Sequence, residues 1–351
     1  MPTFANQSAA ERIASRADQG GRATTAAGRV EDLMRAALAA AHDGRASPVE
    51  RAEMLMELAV GLQQKPKTPD YLTAAVKLYD EALAICPANE RLLAARISAR
   101  KGTALQAVPE PGTELIEQAR ALYEAAIPCL ALLGRAEEVA EAEMNLGLVL
   151  QHLAGCGRAR ISDAIASYQR ALRTFDVKRY PVEFAILQNN LAAAFLSIPF
   201  TDERARIREA LAVQCFEEGL KVVNLIDHPA EYAMLQNNLG NALQYASSSH
   251  IIENNLRAIA AYDEALRVRT RANAPLEYAN TIANKANCLW NLPDDSERPD
   301  DGNRANLTKA KGYYEEALEI FFNHGEVEKA RIVTEAIGQL AQEILAHTPE
   351  N

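Results

Sequence analysis

The chain has 351 residues, of which 48% are hydrophobic and 24% are charged, and its formal net charge is −10. A single compact core usually stops growing at about 250–300 residues, so this length predicts either two domains or an extended repeat array. The acidic charge and the lack of a Lys/Arg cluster argue against a nucleic-acid partner, because nucleic-acid binders normally carry a basic face.

Residues 1–26 are rich in Ala, Ser, Arg, Thr and Gly, and they contain little that could form a core, so we expect a flexible N-terminal tail. The sequence shows no signal peptide and no run of about 20 apolar residues that could span a membrane. Its five cysteines are scattered and never form a C-x-x-C pair, which is typical of free thiols in a reducing compartment. We therefore expect a cytoplasmic protein, and the Ala- and Arg-rich usage favours a bacterial source.

Residues 27–351 are predicted to form one helical-repeat domain, because apolar positions recur at three and four residues throughout. An aromatic residue, two variable residues, a small residue and an aliphatic one recur six times, at intervals of 44 to 52 residues. On a helix the ring and the small residue share one face, so these rings are predicted to pack in the core. The six aromatic residues are Tyr79, Tyr123, Tyr168, Phe216, Tyr262 and Tyr314.

A second pattern precedes the first and stays in phase with it in the last four repeats. It places an asparagine two residues before a glycine or alanine, and its copies are Asn145, Asn190, Asn238 and Asn284. A proline precedes this pattern in the last three repeats, at Pro181, Pro229 and Pro275, and proline suits the first position of a helix. Each repeat is therefore predicted to be two helices, A and B, joined by a variable connector.

Residues 238–242 (Asn-Leu-Gly-Asn-Ala), followed by Ala258, Tyr262 and Ala265, resemble the tetratricopeptide repeat (TPR) family. The resemblance covers about residues 49–316, with repeats longer than the usual 34 residues. These longer repeats resemble subtypes such as those of kinesin light chain, of Pins-type scaffolds and of bacterial proteins with CHAT protease domains. The resemblance implies an all-α, right-handed solenoid of about six helix pairs, with helices A on the concave face and a C-terminal capping helix over residues 326–347.

Polar side chains recur at helical spacing along helices A of the last repeats, and they form the predicted peptide-binding site. An amide offers donors and an acceptor, so a row of amides can bind the backbone of an extended peptide. The resemblance implies the same use, because long-repeat relatives bind peptides through asparagine ladders. The candidate residues are Asn189, Asn190, Asn237, Asn238, Asn241, Gln244, Tyr245, Asn284, Asn287 and Trp290.

Each candidate has a structural alternative. The asparagines could bond to neighbouring groups inside the repeat, and Trp290 could pack against the next helix instead of anchoring a partner. The predicted inner face carries no matching set of Lys and Arg residues, so a clamp for a C-terminal carboxylate is not predicted.

The sequence carries no catalytic constellation. Its six histidines lack metal-ligand spacing, and no nucleotide-binding or hydrolase motif occurs. We therefore predict no enzyme activity, no metal and no cofactor. The predicted function is a protein–protein interaction scaffold or adaptor that binds an extended peptide or partner protein, without nucleic acid or membrane. A regulatory sensor of a small ligand and an assembly chaperone for a partner enzyme stay open as alternatives.

Overall fold

The computed structural model describes residues 26–41, 46–64, 66–109, 111–199, 204–246, 250–295, 297–298 and 302–346. These residues form fourteen α-helices joined by turns and short connectors, and the described part contains no β-strand. None of the described helices is both long and apolar enough to cross a lipid bilayer. The predicted tail lies outside the described residues except for Ala26, which begins the first helix.

The helices follow one another along the chain with short connectors. Their bounds are α1 Ala26–Ala41, α2 Pro48–Gln64, α3 Pro69–Ile85, α4 Arg91–Ala107, α5 Thr113–Leu133, α6 Ala136–Gly155, α7 Ile161–Ala171, α8 Pro181–Leu196, α9 Arg204–Leu220, α10 Pro229–Gln244, α11 Ile251–Leu266, α12 Pro275–Trp290, α13 Arg304–Asn323 and α14 Val327–Ala346.

Six consecutive helix pairs run from α2/α3 to α12/α13, and the second helix of each pair carries one of the six predicted aromatic residues. The prediction of an all-α fold built from about six helix pairs is therefore confirmed. Helix α1 packs on α2 and α3, and α14 packs on α13 as the closing helix. The chain divides into two compact units, one up to Thr174 with α1–α7 and one from Phe175 with α8–α14.

Proline sets the first residue of helices A in the second unit. Pro181, Pro229 and Pro275 each begin their helix, where the missing N–H has no partner to lose. The turn before α10 is ordered by Asn224, whose side-chain oxygen accepts the backbone N–H groups of Ile226 and Asp227 at 2.9 Å. Such a turn lets the chain leave helix B and enter the next helix A within a few residues.

The aromatic residues form the core, as predicted. Tyr79, Tyr123, Tyr168 and Tyr262 are fully buried, and Phe216 is nearly so. Burying rings of this size contributes the largest share of the apolar stabilisation at each pair.

A glycine on helix A admits the ring in three of the repeats. A Cβ built on Gly147 would lie 2.3 Å from the Tyr168 ring, and one built on Gly240 would lie 2.5 Å from the Tyr262 ring. Both separations are far below a carbon–carbon contact distance. The small residue of the sequence pattern is therefore a steric requirement in these repeats.

A glutamine holds the tyrosine hydroxyl in four repeats, always four residues after the small residue of helix A. The hydroxyl of Tyr79 donates to Gln63 at 3.0 Å and that of Tyr168 donates to Gln151 at 3.0 Å. The hydroxyl of Tyr123 accepts an N–H of Gln106 at 2.7 Å. A buried hydroxyl needs such a partner, so each of these hydrogen bonds fixes helix B against its own helix A.

A buried carboxylate joins α6 to α7 in the first unit. The side chain of Glu143 is only 8% exposed, and it accepts two hydrogen bonds from the guanidinium of Arg170 at 2.7 and 2.8 Å. The hydroxyl of Ser167 donates a third bond to it at 2.5 Å. A carboxylate at this depth is stable only with a cation and several donors, and the pair supplies both.

All five cysteines are free thiols. Cys288 is fully buried, and burial raises its pKa to about 12. Cys215 lies partly buried, and burial raises its pKa to about 11. A thiol with a raised pKa is protonated and weakly nucleophilic at neutral pH, so these two cysteines act as core residues.

Arg96 and Glu138 tie α4 to α6, and this pair should make stability depend on pH. The guanidinium donates to the carboxylate at 2.7 and 3.1 Å, and these bonds hold the pKa of Glu138 below its ordinary value of 4.5. A lowered folded-state pKa stabilises the fold above the unfolded value, and the effect is lost as pH falls through the folded value.

The variant Glu138→Gln should therefore lower the free energy of unfolding by about 1 kcal/mol at pH 7. The difference from the parent should shrink as pH falls below the ordinary value of 4.5 and vanish below the lowered pKa of Glu138. Urea unfolding at a series of pH values checks this, with Glu124→Gln as the control, because Glu124 pairs with Arg120 on the exposed surface of one helix. A constant difference at all pH values would contradict the assignment.

Candidate protein-binding surface

The predicted asparagines lie on α8, α10 and α12, which are the first helices of the three pairs in the second unit. Consecutive members of this set of helices contact each other. The structure therefore brings the asparagines together in a row, which we name the amide ladder. Its members are Asn189, Asn190, Asn237, Asn238, Asn241, Asn284 and Asn287.

Helices α8 and α10 are joined by a direct amide–amide bond. The Asn238 Nδ2 donates to the Asn189 Oδ1 at 2.8 Å. Each of these residues is also bonded to its neighbour in sequence, since Asn237 donates to the Asn238 Oδ1 at 3.1 Å and Asn189 donates to the Asn190 Oδ1 at 3.3 Å. The four side chains form one hydrogen-bonded chain that crosses from one repeat to the next.

Helices α10 and α12 are joined by three bonds. The Asn284 Nδ2 donates to the Asn241 Oδ1 at 2.9 Å, and the Asn287 Nδ2 donates to the Tyr245 hydroxyl at 3.1 Å. The buried Thr281 hydroxyl lies 3.0 Å from the Asn237 Oδ1, and it shares its one proton between this oxygen and the Glu277 carbonyl oxygen at 2.7 Å. Thr281 was missed from the sequence, because a single threonine among asparagines breaks the pattern and gives no signal of its own.

The ladder also has unused hydrogen-bonding capacity. In the described part of the chain, the Asn241 Nδ2 and the Asn284 Oδ1 make no hydrogen bond, and both side chains are half-buried. Because the two amides are linked at 2.9 Å, the free donor and the free acceptor belong to neighbouring side chains. In an extended chain the N–H and C=O of one residue point to the same side, so a free donor and a free acceptor can bind the backbone of a single residue.

Tyr262 fixes the direction of the Asn241 amide. Its hydroxyl lies 2.8 Å from the Asn241 Oδ1 and 2.9 Å from the Gln244 Oε1, but it has one proton and can donate to only one of them. Rotating the Gln244 amide by a half-turn exchanges the positions of its oxygen and nitrogen. The Gln244 Nε2, which is buried and otherwise has no partner, then donates to the Tyr262 hydroxyl, as the Gln106 Nε2 donates to that of Tyr123. Tyr262 then donates to the Asn241 Oδ1, so the Asn241 Nδ2 is the group left without a partner among the described residues.

Burial raises the pKa of Tyr262, so its hydroxyl keeps the proton needed for this bond at neutral pH. Gln244 therefore binds the tyrosine hydroxyl of its own repeat, as Gln63, Gln106 and Gln151 do in theirs. Its position four residues after Gly240 accounts for this bond, and its role in the peptide site stays a prediction.

The two aromatic candidates differ in their surroundings. Trp290 is half-buried among the residues of α12–α14, and its indole N–H donates to Glu343 on the closing helix at 2.8 Å. Trp290 therefore packs against the neighbouring helices, which is the structural alternative to a role in binding. Its use as an interface anchor stays a prediction. Tyr245 is 68% exposed at the end of α10, beside Asn287 of the ladder.

No cluster of three or more His, Cys, Asp or Glu side chains within the described ranges could hold a metal ion.

No protein-family model matches the sequence, and no curated protein is significantly similar to it.

Several solved structures share the helical architecture at low identity. BtubC (BKLC) from P. vanneervenii is 20% identical with a TM-score of 0.47, over 75% of this chain and 92% of that chain. The C-terminal part of a TPR repeat-containing protein from Cytophaga hutchinsonii is 14% identical with a TM-score of 0.45, over 86% of this chain and 96% of that chain. A Rap protein complexed with competence and sporulation factor is 10% identical with a TM-score of 0.41, over 97% of this chain and 93% of that chain.

The neighbours thus include a TPR repeat-containing protein. Identities of 20% or less and TM-scores below 0.5 leave the function of this chain to be argued from its own residues. Membership of the TPR family, and of its long-repeat subtype, stays a prediction.

Proposed function

We propose that this chain is a non-catalytic interaction protein whose amide ladder binds an extended segment of a partner protein, in the manner of a long-repeat TPR scaffold. The observation that carries the proposal is the adjacent free donor and acceptor on Asn241 and Asn284. Backbone recognition of this kind requires no particular side chain on the partner.

The self-pairing of the ladder limits how tightly such a segment can bind. Most ladder amides already bond to one another, so a ligand either uses the free groups or exchanges with existing bonds. A hydrogen bond that replaces another contributes little net free energy. Ordering a flexible segment also costs free energy, so we expect a modest affinity.

Tyr245 offers a side-chain anchor beside the backbone contacts. Its ring is 68% exposed and its hydroxyl is held by Asn287, so the ring is positioned before any partner arrives. Aromatic residues are enriched at the centres of protein interfaces because they bury a large area for few rotatable bonds. An apolar side chain of the partner fits this place best.

The test begins with a partner identified by purifying the tagged full chain from its native host, after which the bound segment is mapped to a peptide. The variant Asn241→Asp keeps the oxygen that accepts from Tyr262 and Asn284 but removes the free N–H group. Combined with Asn284→Ala, it should weaken peptide binding by about tenfold or more in calorimetry.

Asn323→Ala is the matched control, because Asn323 is exposed at the end of α13 and lies outside the ladder. It should leave the affinity unchanged. Circular dichroism must show that all variants keep their helix content. Unchanged binding by the folded double variant would reject the ladder as the binding surface. The sensor and assembly-chaperone interpretations have no residue of their own in the structure and stay predictions.

A further inference from the structure

One arginine of the second unit occupies a position that the other five repeats fill with an uncharged side chain. The position follows the small residue of helix B by four residues, and its other occupants are Cys86, Leu130, Phe175, Val223 and Phe321. The last four of these are buried in the core. Arg269 takes this place in the turn between α11 and α12, where burial lowers the pKa of its guanidinium. A core position therefore holds a cation in one repeat only.

Thr281 of α12 is a second polar exception, and it contacts the first. It lies five residues before the small residue of helix A, where the other repeats have Met54, Ile97, Ala142, Leu187 and Leu235. Thr281 is fully buried, and its hydroxyl accepts an N–H of Arg269 at 3.3 Å. The connection between α11 and α12 thus holds a polar pair, where the connection between α9 and α10 holds the apolar pair Val223 and Leu235.

Stability alone does not account for this polar pair. In the described part of the chain, the Arg269 side chain makes this one hydrogen bond and no ion pair. Glu277 is the acidic group whose charge acts on it. One long bond to a neutral hydroxyl offsets little of the free energy needed to remove a guanidinium from water. A polar pair that costs stability at a core position points to a role in function.

The polar pair begins a row of hydrogen bonds that runs through the amide ladder. The Thr281 hydroxyl lies 3.0 Å from the Asn237 Oδ1. From there Asn237 donates to Asn238, and Asn238 donates to Asn189 on α8. Asn189 in turn donates to Asn190. Each amide therefore has its oxygen on the side of the arginine, so the row has one direction across three repeats.

The row can reverse only as a whole. Turning a single amide over would place two oxygens or two nitrogens against each other, so neighbouring amides must share one direction. The Thr281 hydroxyl does not decide the direction, because it shares its proton with the Glu277 carbonyl oxygen at 2.7 Å. The positive charge of Arg269 does decide it, since a cation attracts amide oxygens and repels amide N–H groups.

We propose that Arg269 is a positioning residue of the amide ladder, which acts through Thr281 and fixes the direction in which the ladder amides present their hydrogen-bonding groups to a partner backbone. The inference rests on the proposed function of the ladder, and it does not require Arg269 to contact the partner. Without the guanidinium, the ladder is divided between two directions. A backbone segment that matches one direction then binds more weakly, in proportion to the fraction of molecules that have lost it.

The first experiment follows the side-chain amide signals of the free full chain by NMR. In Arg269→Val, the signals of the ladder asparagines on both α10 and α8 should shift, because the whole row is released. Arg269→Lys keeps a cation, so its signals should stay near those of the parent. Arg267→Val is the control, because Arg267 is 55% exposed and pairs with Glu264, and it should leave the signals unmoved. Shifts confined to α10, or no shifts at all, would overturn the proposal.

The second experiment measures, by calorimetry, the affinity for the peptide mapped from the purified partner. Arg269→Val should weaken binding by about threefold or more, and Arg269→Lys should bind like the parent. Arg269→Val/Thr281→Leu installs the apolar pair of the preceding repeat, so it should keep the melting temperature of the parent while binding falls to the same degree. A purely structural role would instead lower the melting temperature and the affinity together, and this result would contradict the positioning role.

The ladder variant keeps this inference apart from the proposed function. If Asn241→Asp/Asn284→Ala loses binding but Arg269→Val keeps it, the ladder function holds and the positioning role of Arg269 is overturned. If the ladder variant binds like the parent, the proposed function fails, and the amide signals of the free protein still decide whether Arg269 sets the direction. Weaker binding by Arg269→Val with unshifted amide signals would mean direct contact with the partner, which also overturns the proposal.

Discussion

Replacing Arg170 with alanine should lower the free energy of unfolding by about 2–3 kcal/mol. Among the described residues, the change removes the one cation paired with Glu143 and two of the three bonds that this carboxylate accepts, and Ser167 alone remains. The carboxylate is 8% exposed beneath Arg170, whose own side chain is 44% exposed, so water replaces the lost donors only in part. Urea unfolding followed by circular dichroism measures the loss.

Arg160→Ala is the matched control in the same part of the chain. Arg160 pairs with Asp163 three residues later, but its side chain is 82% exposed, so its loss should change stability by less than about 0.5 kcal/mol. Replacing Glu143 and Arg170 together with leucine should recover much of the lost stability, because no buried charge is left unpaired. A loss as small for Arg170→Ala as for Arg160→Ala would show that the buried pair is not stabilised in this way.

The variant Gly240→Ala should also be destabilising, by about 1–3 kcal/mol, although alanine favours helix more than glycine does. The added methyl would lie 2.5 Å from the ring of Tyr262, which is fully buried and cannot move aside. Overpacking of this kind outweighs the gain of about 1 kcal/mol in helix propensity. Thermal and urea unfolding both report the change.

Gly312→Ala should change the stability in the opposite direction or leave it unchanged. A Cβ at Gly312 of α13 meets nothing within 4 Å, so only the propensity acts and stability should be unchanged or rise by up to about 1 kcal/mol. Combining Gly240→Ala with Tyr262→Leu should cost less than the sum of the two single changes, because the smaller side chain leaves room for the methyl. Strict additivity would mean that the glycine is not needed for the ring.

The repeat architecture could be predicted from the sequence because its signals are local and recur. Each ring and its small partner lie within one turn of a helix, as with Tyr262 and Ala265, and six copies in phase leave little choice of fold. The helix starts at Pro181, Pro229 and Pro275 follow from the same kind of local signal.

The partners of the polar groups could not be predicted in the same way. Asn238 bonds to Asn189 across 49 residues, and that choice depends on the distance between α8 and α10 rather than on a pattern within either helix. Gln244 was placed in the peptide site by its spacing, although its nearest partner is the hydroxyl of Tyr262. Periodicity predicts which face a side chain shares, while packing between repeats decides what it bonds to.

The contact of Trp290 with the closing helix gives this protein a built-in optical probe. Trp290 is the sole tryptophan of the chain, and its indole N–H is bound to Glu343 of α14. Its emission should shift to longer wavelength as soon as α14 detaches, since the ring is then hydrated. Fraying of the last helix can therefore be watched in the intact protein, separately from the loss of helical ellipticity that reports on all the other repeats.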